Sequence, residues 1–353
     1  MKSKLSFSVM FFSIGLLLIL FSPAARAGER TRQERPVPMG VSGGNVNNRQ
    51  LFRGCCSGTL GAVLTTANGL AILSNNHIFG RYFDGSIGED ISQVGIADIG
   101  CRTVPADFIA QVSAVVPVDF GGGENVIDAA IAATSPDLVR DDGFILNIGI
   151  PSSSVVEPAI GMGVKKSGRT TGLTFGTIAA IGVTVNVQAA QPCGVVDGIA
   201  RFVNQIRISP GSFLAGGDSG ALMVEDADEC PRVVGLVFAG SIAAGIANPI
   251  TPVLEAFGAQ LVGCPAGATR QLPIGEFTRN HPKVAAVLEV QKKYRSLIDI
   301  PEVIGTGVGL SKDGQPVLEV YLENNRMDLE EFFPKTLDGI AIALVETGPF
   351  EMF

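Results

Sequence analysis

The stretch Gly216-Gly217-Asp218-Ser219-Gly220-Ala221-Leu222-Met223-Val224 sets a serine in a glycine-rich turn that opens straight into a short apolar run. Glycines without side chains permit unusual backbone angles and let a ligand carbonyl approach the main chain. The run Ala221 to Val224 and the following Val233 to Ala239 are short and rich in apolar residues, which reads as strand rather than helix. A strand after the serine fits an all-β reading of the chain around it.

Outward from this turn, residues 38 to 250 repeat the same pattern of short apolar runs broken by Gly, Asn, Asp and Pro. The runs are Thr59 to Leu64, Gly69 to Ser74, Phe144 to Ile150, Ile178 to Val187 and Phe202 to Ile208. Many short strands with Gly-rich turns predict a barrel or a sandwich. A helix is expected from Thr251, an N-cap residue followed by Pro252, with Val253, Leu254, Phe257 and Leu261 on one face. After Cys264 a Pro/Gly/Ala-rich linker, residues 265–279, leads to a small α+β unit over 280–353. That unit should hold a helix starting at Asn280-His281-Pro282 and a hairpin of Val303 to Leu310 with Val317 to Leu322, turned at Lys312-Asp313-Gly314-Gln315. It also holds a helix-like stretch at Asp328 to Phe333 and a last apolar run, Ile340 to Val345. It is expected to have its own core, to dock on the β domain, and to control access to the site or recruit substrate.

At the other end, Lys2 and Lys4 precede an apolar run from Phe11 to Phe21, and Ala25-Arg26-Ala27 supplies a small-x-small cleavage pattern. Residues 1–27 thus read as an export signal, with residues 28–264 forming the main domain, and the product is expected in a periplasm or outside the cell. The signal carries three of the 26 basic residues and none of the 34 acidic ones, leaving 23 against 34. A net charge near −11 argues against nucleic acid or an anionic membrane as partner. Six cysteines, Cys55, Cys56, Cys101, Cys193, Cys230 and Cys264, are expected to form disulfides in an exported chain, in a pairing that sequence leaves open. With no C-x-x-C spacing and only two histidines, no metal site or other cofactor is expected. The acidic cluster Glu225, Asp226, Asp228 and Glu229 reads as a solvated hairpin loop.

A hydroxyl nucleophile needs a base, a group to orient that base, and donors for the oxyanion. The base has two candidates, His77 and His281. His77 follows the strand-like run Gly69 to Ser74, where it would be held firmly, whereas His281 sits beside Pro282 at a helix start. Eleven aspartates lie between His77 and Ser219, and Asp128 interrupts the most sustained apolar run, Val126 to Ala132. A carboxylate there needs a partner, and an imidazole N–H would supply it. The N–H groups of Gly217 and Ser219 are the candidate oxyanion donors. The spacing Gly217-x-Ser219-x-Ala221 also approaches the nucleophile elbow of α/β-hydrolases, but that elbow requires a helix after the serine and would leave only His281 as base.

At these residues the chain resembles the trypsin-like serine peptidases, with the triad in the order His, Asp, Ser. More narrowly it resembles the branch typified by the plant narrow-leaf proteins and their bacterial relatives. The matching runs are Gly58 to Ala62, Leu73 to His77, Asn125 to Ala130, Gly168 to Thr174, Gly217 to Gly220, Gly235 to Gly240 and Ile246 to Ile250; Ile304 to Gly309 resembles the small domain that accompanies the branch. The resemblance implies two six-stranded antiparallel β-barrels, with His77 and Asp128 from the first and Ser219 from the second. It implies hydrolysis of a protein or peptide substrate through an acyl-enzyme, with Gly217 and Ser219 as oxyanion donors. No Ile-Val-Gly-Gly-type N-terminus is visible to pair with Asp218, and Ile78 after the histidine rules out the flanking disulfide of animal trypsins. Counting back six residues from Ser219 sets Phe213 near the base of the specificity pocket, with Phe238 and Gly240 on its wall; this predicts a small or apolar preference. A protease-like fold kept only for binding peptides or partners is the rival expectation.

Overall fold

The computed structural model describes residues 28–50, 54–82, 87–189, 198–267, 272, 275–324 and 332–352. Residues 1–27, expected to be an export signal, most of the Asp328 to Phe333 stretch, and Cys193 lie outside the described residues.

The first barrel is built from β1 (Ser42–Asn45), β2 (Gly58–Thr59), β3 (Ala62–Thr66), β4 (Gly69–Ser74), β5 (Asp90–Ser92), β6 (Phe108–Val115) and β7 (Ala130–Ala133). Segments β2 and β3 are one strand interrupted at Leu60-Gly61, so six strands close the ring β1-β2/β3-β4-β7-β6-β5-β1, every pairing antiparallel. Six more strands, β8 (Gly163–Gly168), β9 (Gly172–Ala189), β10 (Ile199–Ser209), β11 (Leu222–Glu225), β12 (Val233–Gly240) and β13 (Gly245–Pro249), close the second ring. Its order is β9-β8-β11-β12-β13-β10-β9, again antiparallel throughout. The protein is thus mostly β, with two six-stranded antiparallel barrels. Alternation along each strand drives the closure, because side chains on one face of the sheet, such as Val63, Ile72, Ile91 and Val112, fill the first barrel while those on the other face meet neighbouring layers.

Four expectations need correction. Phe144 to Ile150 is not a strand but a turn with isolated bridges, Ile145 to Gly149 and Met39 to Ile145, because Asn147 and Gly149 take positive φ and fold the run back. The helix expected from Thr251 starts one residue earlier: α1 (Ile250–Phe257) follows Pro249 as N-cap. Pro252 is tolerated there because first-turn N–H groups have no intrahelical acceptor. The helix stops at Gly258, φ 55, so Leu261 leaves the helical face and pairs as strand with Leu64. Lastly, Glu225 of the acidic cluster is buried against Arg232, whose guanidinium donates to both its carboxylate oxygens at 2.8 and 2.7 Å.

Beyond the barrels come α2 (Pro282–Lys293), β14 (Val303–Leu310), β15 (Pro316–Leu322), β16 (Ile340–Glu346) and β17 (Phe350–Met352). The expected hairpin forms, β14 against β15. This segment shares both sheet and core with the second barrel: β14 pairs with β9, and Val284, Val287 and Val290 of α2 bury with Ile178, Ile206, Ile208, Val308 and Leu318. Burying each such side chain contributes roughly 1.5–3 kcal/mol. A buried polar link reinforces the join, since Glu319 on β15 accepts from Arg207 on β10 at 2.7 Å and from the Tyr321 hydroxyl at 3.0 Å. Burial, and then the Glu319 charge, push the Tyr321 phenol well above its usual range, so it stays a neutral donor.

Candidate active site

His77 lies in a four-residue helix, Asn76–Phe79, immediately after β4, and Asp128 lies just before β7; β4 and β7 are paired neighbours. That pairing brings side chains 51 residues apart together. Nδ1 of His77 hydrogen-bonds the Asp128 carboxylate, whose other oxygen accepts from the His77 backbone N–H at 3.2 Å. Asp128 is fully buried and His77 nearly so. Among the described residues, the buried Nε2 of His77 has no hydrogen-bond partner.

Asp128 is held from the second barrel as well. Its N–H donates to Oδ1 of Asn248 at 3.1 Å, and its carbonyl accepts from Nδ2 of Asn248 at 3.3 Å and of Asn75 at 2.8 Å. Asn75 and Asn248 fell within matching runs, but nothing in the sequence gave them this task. Tyr82, also unforeseen, stacks 6.0 Å from the His77 ring and packs edge-on against Phe120 at 5.5 Å. Burial, followed by the Asp128 charge, raises the Tyr82 phenol well above its usual value, which keeps it neutral beside the imidazole.

Ser219 sits between β10 and β11, and its segment is bonded to that of His77. The Ser219 carbonyl accepts from the Thr59 N–H at 2.8 Å, and the Thr59 carbonyl accepts from the Ser74 hydroxyl at 2.8 Å. The contact admits only glycine at 220, where φ is +91° and a Cβ would lie 2.1 Å from Ser74 Oγ. Gly217 likewise has φ +95°. Ser219 Oγ donates to the Phe238 carbonyl at 3.3 Å rather than to His77. Within the turn, the N–H groups of Asp218, Gly220 and Ala221 are engaged by Ala215, Val237 and Asp218 carbonyls. Among the described residues, those of Gly217 and Ser219 make no hydrogen bond.

The turn is fastened through Asp218. Its buried carboxylate accepts from the N–H groups of Thr170, Thr171 and Ala215 at 2.8, 3.1 and 2.9 Å and from the Thr171 hydroxyl at 2.6 Å. Lys166, also fully buried, places its ammonium 3.3 Å from the same carboxylate. Burial lowers the Lys166 pKa, while the Asp218 charge pulls it back upward. An internal lysine thus stands where the sequence offered no new N-terminus as a partner. The Gly168 to Thr174 run braces this turn: the Thr170 hydroxyl donates to the Gly216 carbonyl at 2.6 Å, and the Thr174 hydroxyl to the Phe213 carbonyl at 2.6 Å.

Phe213 and Phe238 are both buried, but in different apolar clusters, Phe213 with Leu214 and Ile208, Phe238 with Phe202 and Ala239. Gly240 faces Leu214, where a Cβ would lie 2.5 Å from its side chain. His281 is remote in role: its Nδ1 accepts from the Lys283 N–H at 3.3 Å and caps α2. Ser219 leads into β11 and not into a helix, so the turn lacks the elbow of an α/β-hydrolase.

No family model and no curated protein matches this chain. Among solved structures it is similar to a glutamic acid specific serine protease described as using a histidine triad in substrate binding, at 20% identity over 64% of this chain and 100% of that one, TM-score 0.43. It is also similar to Protease A of Thermobifida fusca, at 20% identity, 65% and 99% coverage, TM-score 0.42. A Nocardiopsis protease matches at 18% identity, 64% and 98% coverage, TM-score 0.42. Nothing about this chain's reaction follows from likenesses so distant.

Proposed function

We propose that the chain is a serine endopeptidase of the trypsin-like kind, exported through residues 1–27, with residues 28–264 as the peptidase domain. His77 takes the proton of Ser219, whose Oγ attacks the peptide carbonyl; the acyl-enzyme is then hydrolysed by water activated at the same imidazole. Asp128 fixes the tautomer, and the N–H groups of Gly217 and Ser219 receive the oxyanion. The observation that carries this reading is the buried His77–Asp128 hydrogen bond, which leaves Nε2 as the ring's open acceptor. The hydrogen bond from Ser219 to Phe238 is compatible with it, since catalytic hydrogen bonds tighten when substrate binds. Buried Phe213 and Phe238, with no acidic side chain beside them in the sequence, support a preference for small or apolar residues before the cut bond. The Cys55–Cys101 and Cys230–Cys264 disulfides, with Cys56 also bonded, support an oxidising compartment.

A fluorophosphonate probe tests the assignment. Labelling is expected on the parent and on His281→Ala, and absent from Ser219→Ala and His77→Ala. The reading fails if the parent, shown to be folded, takes no label, which would favour a protease-like module that only binds peptides. Labelling lost in His281→Ala alone would also overturn it.

A further inference from the structure

Strand β17 lies in an unusual place for the last strand of an appended unit. Among the described residues, the side of β12 that faces Ser219 has no partner in its own barrel beyond Val237: β11 pairs with β12 from Val233 to Leu236. On its other side β12 continues against β13, Ala239 with Ile246 and Gly240 with Gly245. β17 fills the open side, antiparallel, with Gly240 opposite Glu351 and Ala239 opposite Met352. Its second edge runs parallel to Val187–Ala189 of β9, so the segment is seated in a slot between two strands.

The direction of this segment has chemical meaning. As the chain advances from Glu351 to Met352 its partner retreats from Gly240 to Ala239, toward Phe238, whose carbonyl accepts the Ser219 hydroxyl. A peptide that adds a strand to this edge in the same sense would bring the carbonyl of a following residue up to Ser219, with its preceding residues along β12. That is the geometry a nucleophile needs for acyl transfer, with main-chain pairing supplying affinity and alternate side chains supplying selectivity. Phe350 and Met352 are buried, in one cluster with Tyr82, Phe202, Phe238 and Ala239, while Glu351 is half-buried. The cluster reaches from the β17 slot to the ring that stacks on His77. The link Thr347-Gly348-Pro349, with Gly348 at φ +68°, separates the segment from β16.

Resting on the peptidase reading above, we propose that residues 350–352 occupy the slot in which the acyl side of a peptide substrate docks. The substrates are therefore extended peptides of apolar-polar-apolar pattern that add a strand to Ala239–Gly240 in place of the chain's own segment. The protein carries an internal competitor, and its apparent affinity for substrate is reduced by the fraction of molecules in which the slot is filled.

The test compares the parent with a chain ending at Gly348 and with full-length Met352→Lys, which places a charge in the apolar slot without shortening the chain. Phosphonylation of Ser219 by a fluorophosphonate, Oγ attacking phosphorus with loss of fluoride, is expected to accelerate by about tenfold or more in both. A synthetic peptide of residues 346–352 should slow the truncated form again, competitively. The same peptide, fluorescently labelled, should bind truncated Ser219→Ala saturably by anisotropy. Phosphonylation no faster in either variant, with no competition by the peptide, would overturn the proposal and leave β17 as a structural strand. If no form is phosphonylated, the peptidase reading falls, and anisotropy alone decides the docking: saturable binding sustains it and none overturns it.

Discussion

Replacing Lys166 by Met should loosen the turn that carries Ser219. The ammonium and the Asp218 carboxylate are both fully buried and 3.3 Å apart, so removing the cation strands a charge in the interior. Removing one partner of a buried pair costs about 3–5 kcal/mol. Asp218 keeps its hydrogen bonds from Thr170, Thr171 and Ala215, which offset part of that charge, so the loss should fall at the lower end, about 3 kcal/mol. At a urea slope of about 2 kcal/mol per molar, the midpoint would drop by about 1.5 M with the slope unchanged. Asp218→Asn removes the charge while retaining much of the shape, so the double variant should recover part of the loss. The cycle is then non-additive by about 1–3 kcal/mol. At temperatures where Lys166→Met stays folded, fluorophosphonate labelling should slow, because the neighbouring Gly217 and Ser219 N–H groups lose their fixed setting. A midpoint within about 0.3 M of the parent, or an additive cycle, would refute the reasoning and leave the turn held by neutral donors alone.

Other substitutions probe separate parts of the site. Gly220→Ala combines a positive φ with a Cβ 2.4 Å from the Thr59 carbonyl and should cost about 2 kcal/mol or more in thermal unfolding; an unchanged melting temperature would contradict the close approach. Asn248→Ala removes the side chain that holds the Asp128 main chain and should slow acylation of Ser219 by about tenfold to a hundredfold, while equal rates would remove Asn248 from the positioning network. Burial works against the Glu89 charge, but hydrogen bonds from Arg81, Asn45 and Asn47 outweigh it and hold its carboxyl below the usual range. That stabilisation is present above the ordinary carboxylate range and lost as pH falls through the folded value, so the gap in stability between parent and Glu89→Gln should close as pH falls from neutral to below the ordinary carboxylate range. A gap constant over that window would show that the charge of Glu89 is not what stabilises.

The strands and the candidate chemistry were legible in the sequence wherever the signal is local. Short apolar runs gave β3, β4, β9, β10, β11 and β12, and the scarcity of histidines, with one aspartate breaking an apolar run, singled out His77 and Asp128, which the paired strands β4 and β7 bring into contact. Local patterns failed where a backbone angle or a distant partner decides. Phe144 to Ile150 has strand composition but turns on Asn147 and Gly149, and Glu225 looked solvated until Arg232 closed on it. The order of residues by itself determined a mostly β chain with a serine in a glycine-rich turn. Only the tertiary structure decided that Lys166 holds Asp218, that Asn248 reaches across from one barrel to the other, and that Phe350–Met352 lies beside the strand next to Ser219. Burial of a charge or an open strand edge creates a demand that some group must meet, and periodicity records the demand but not the partner, which is fixed by closure of strands far apart in the chain.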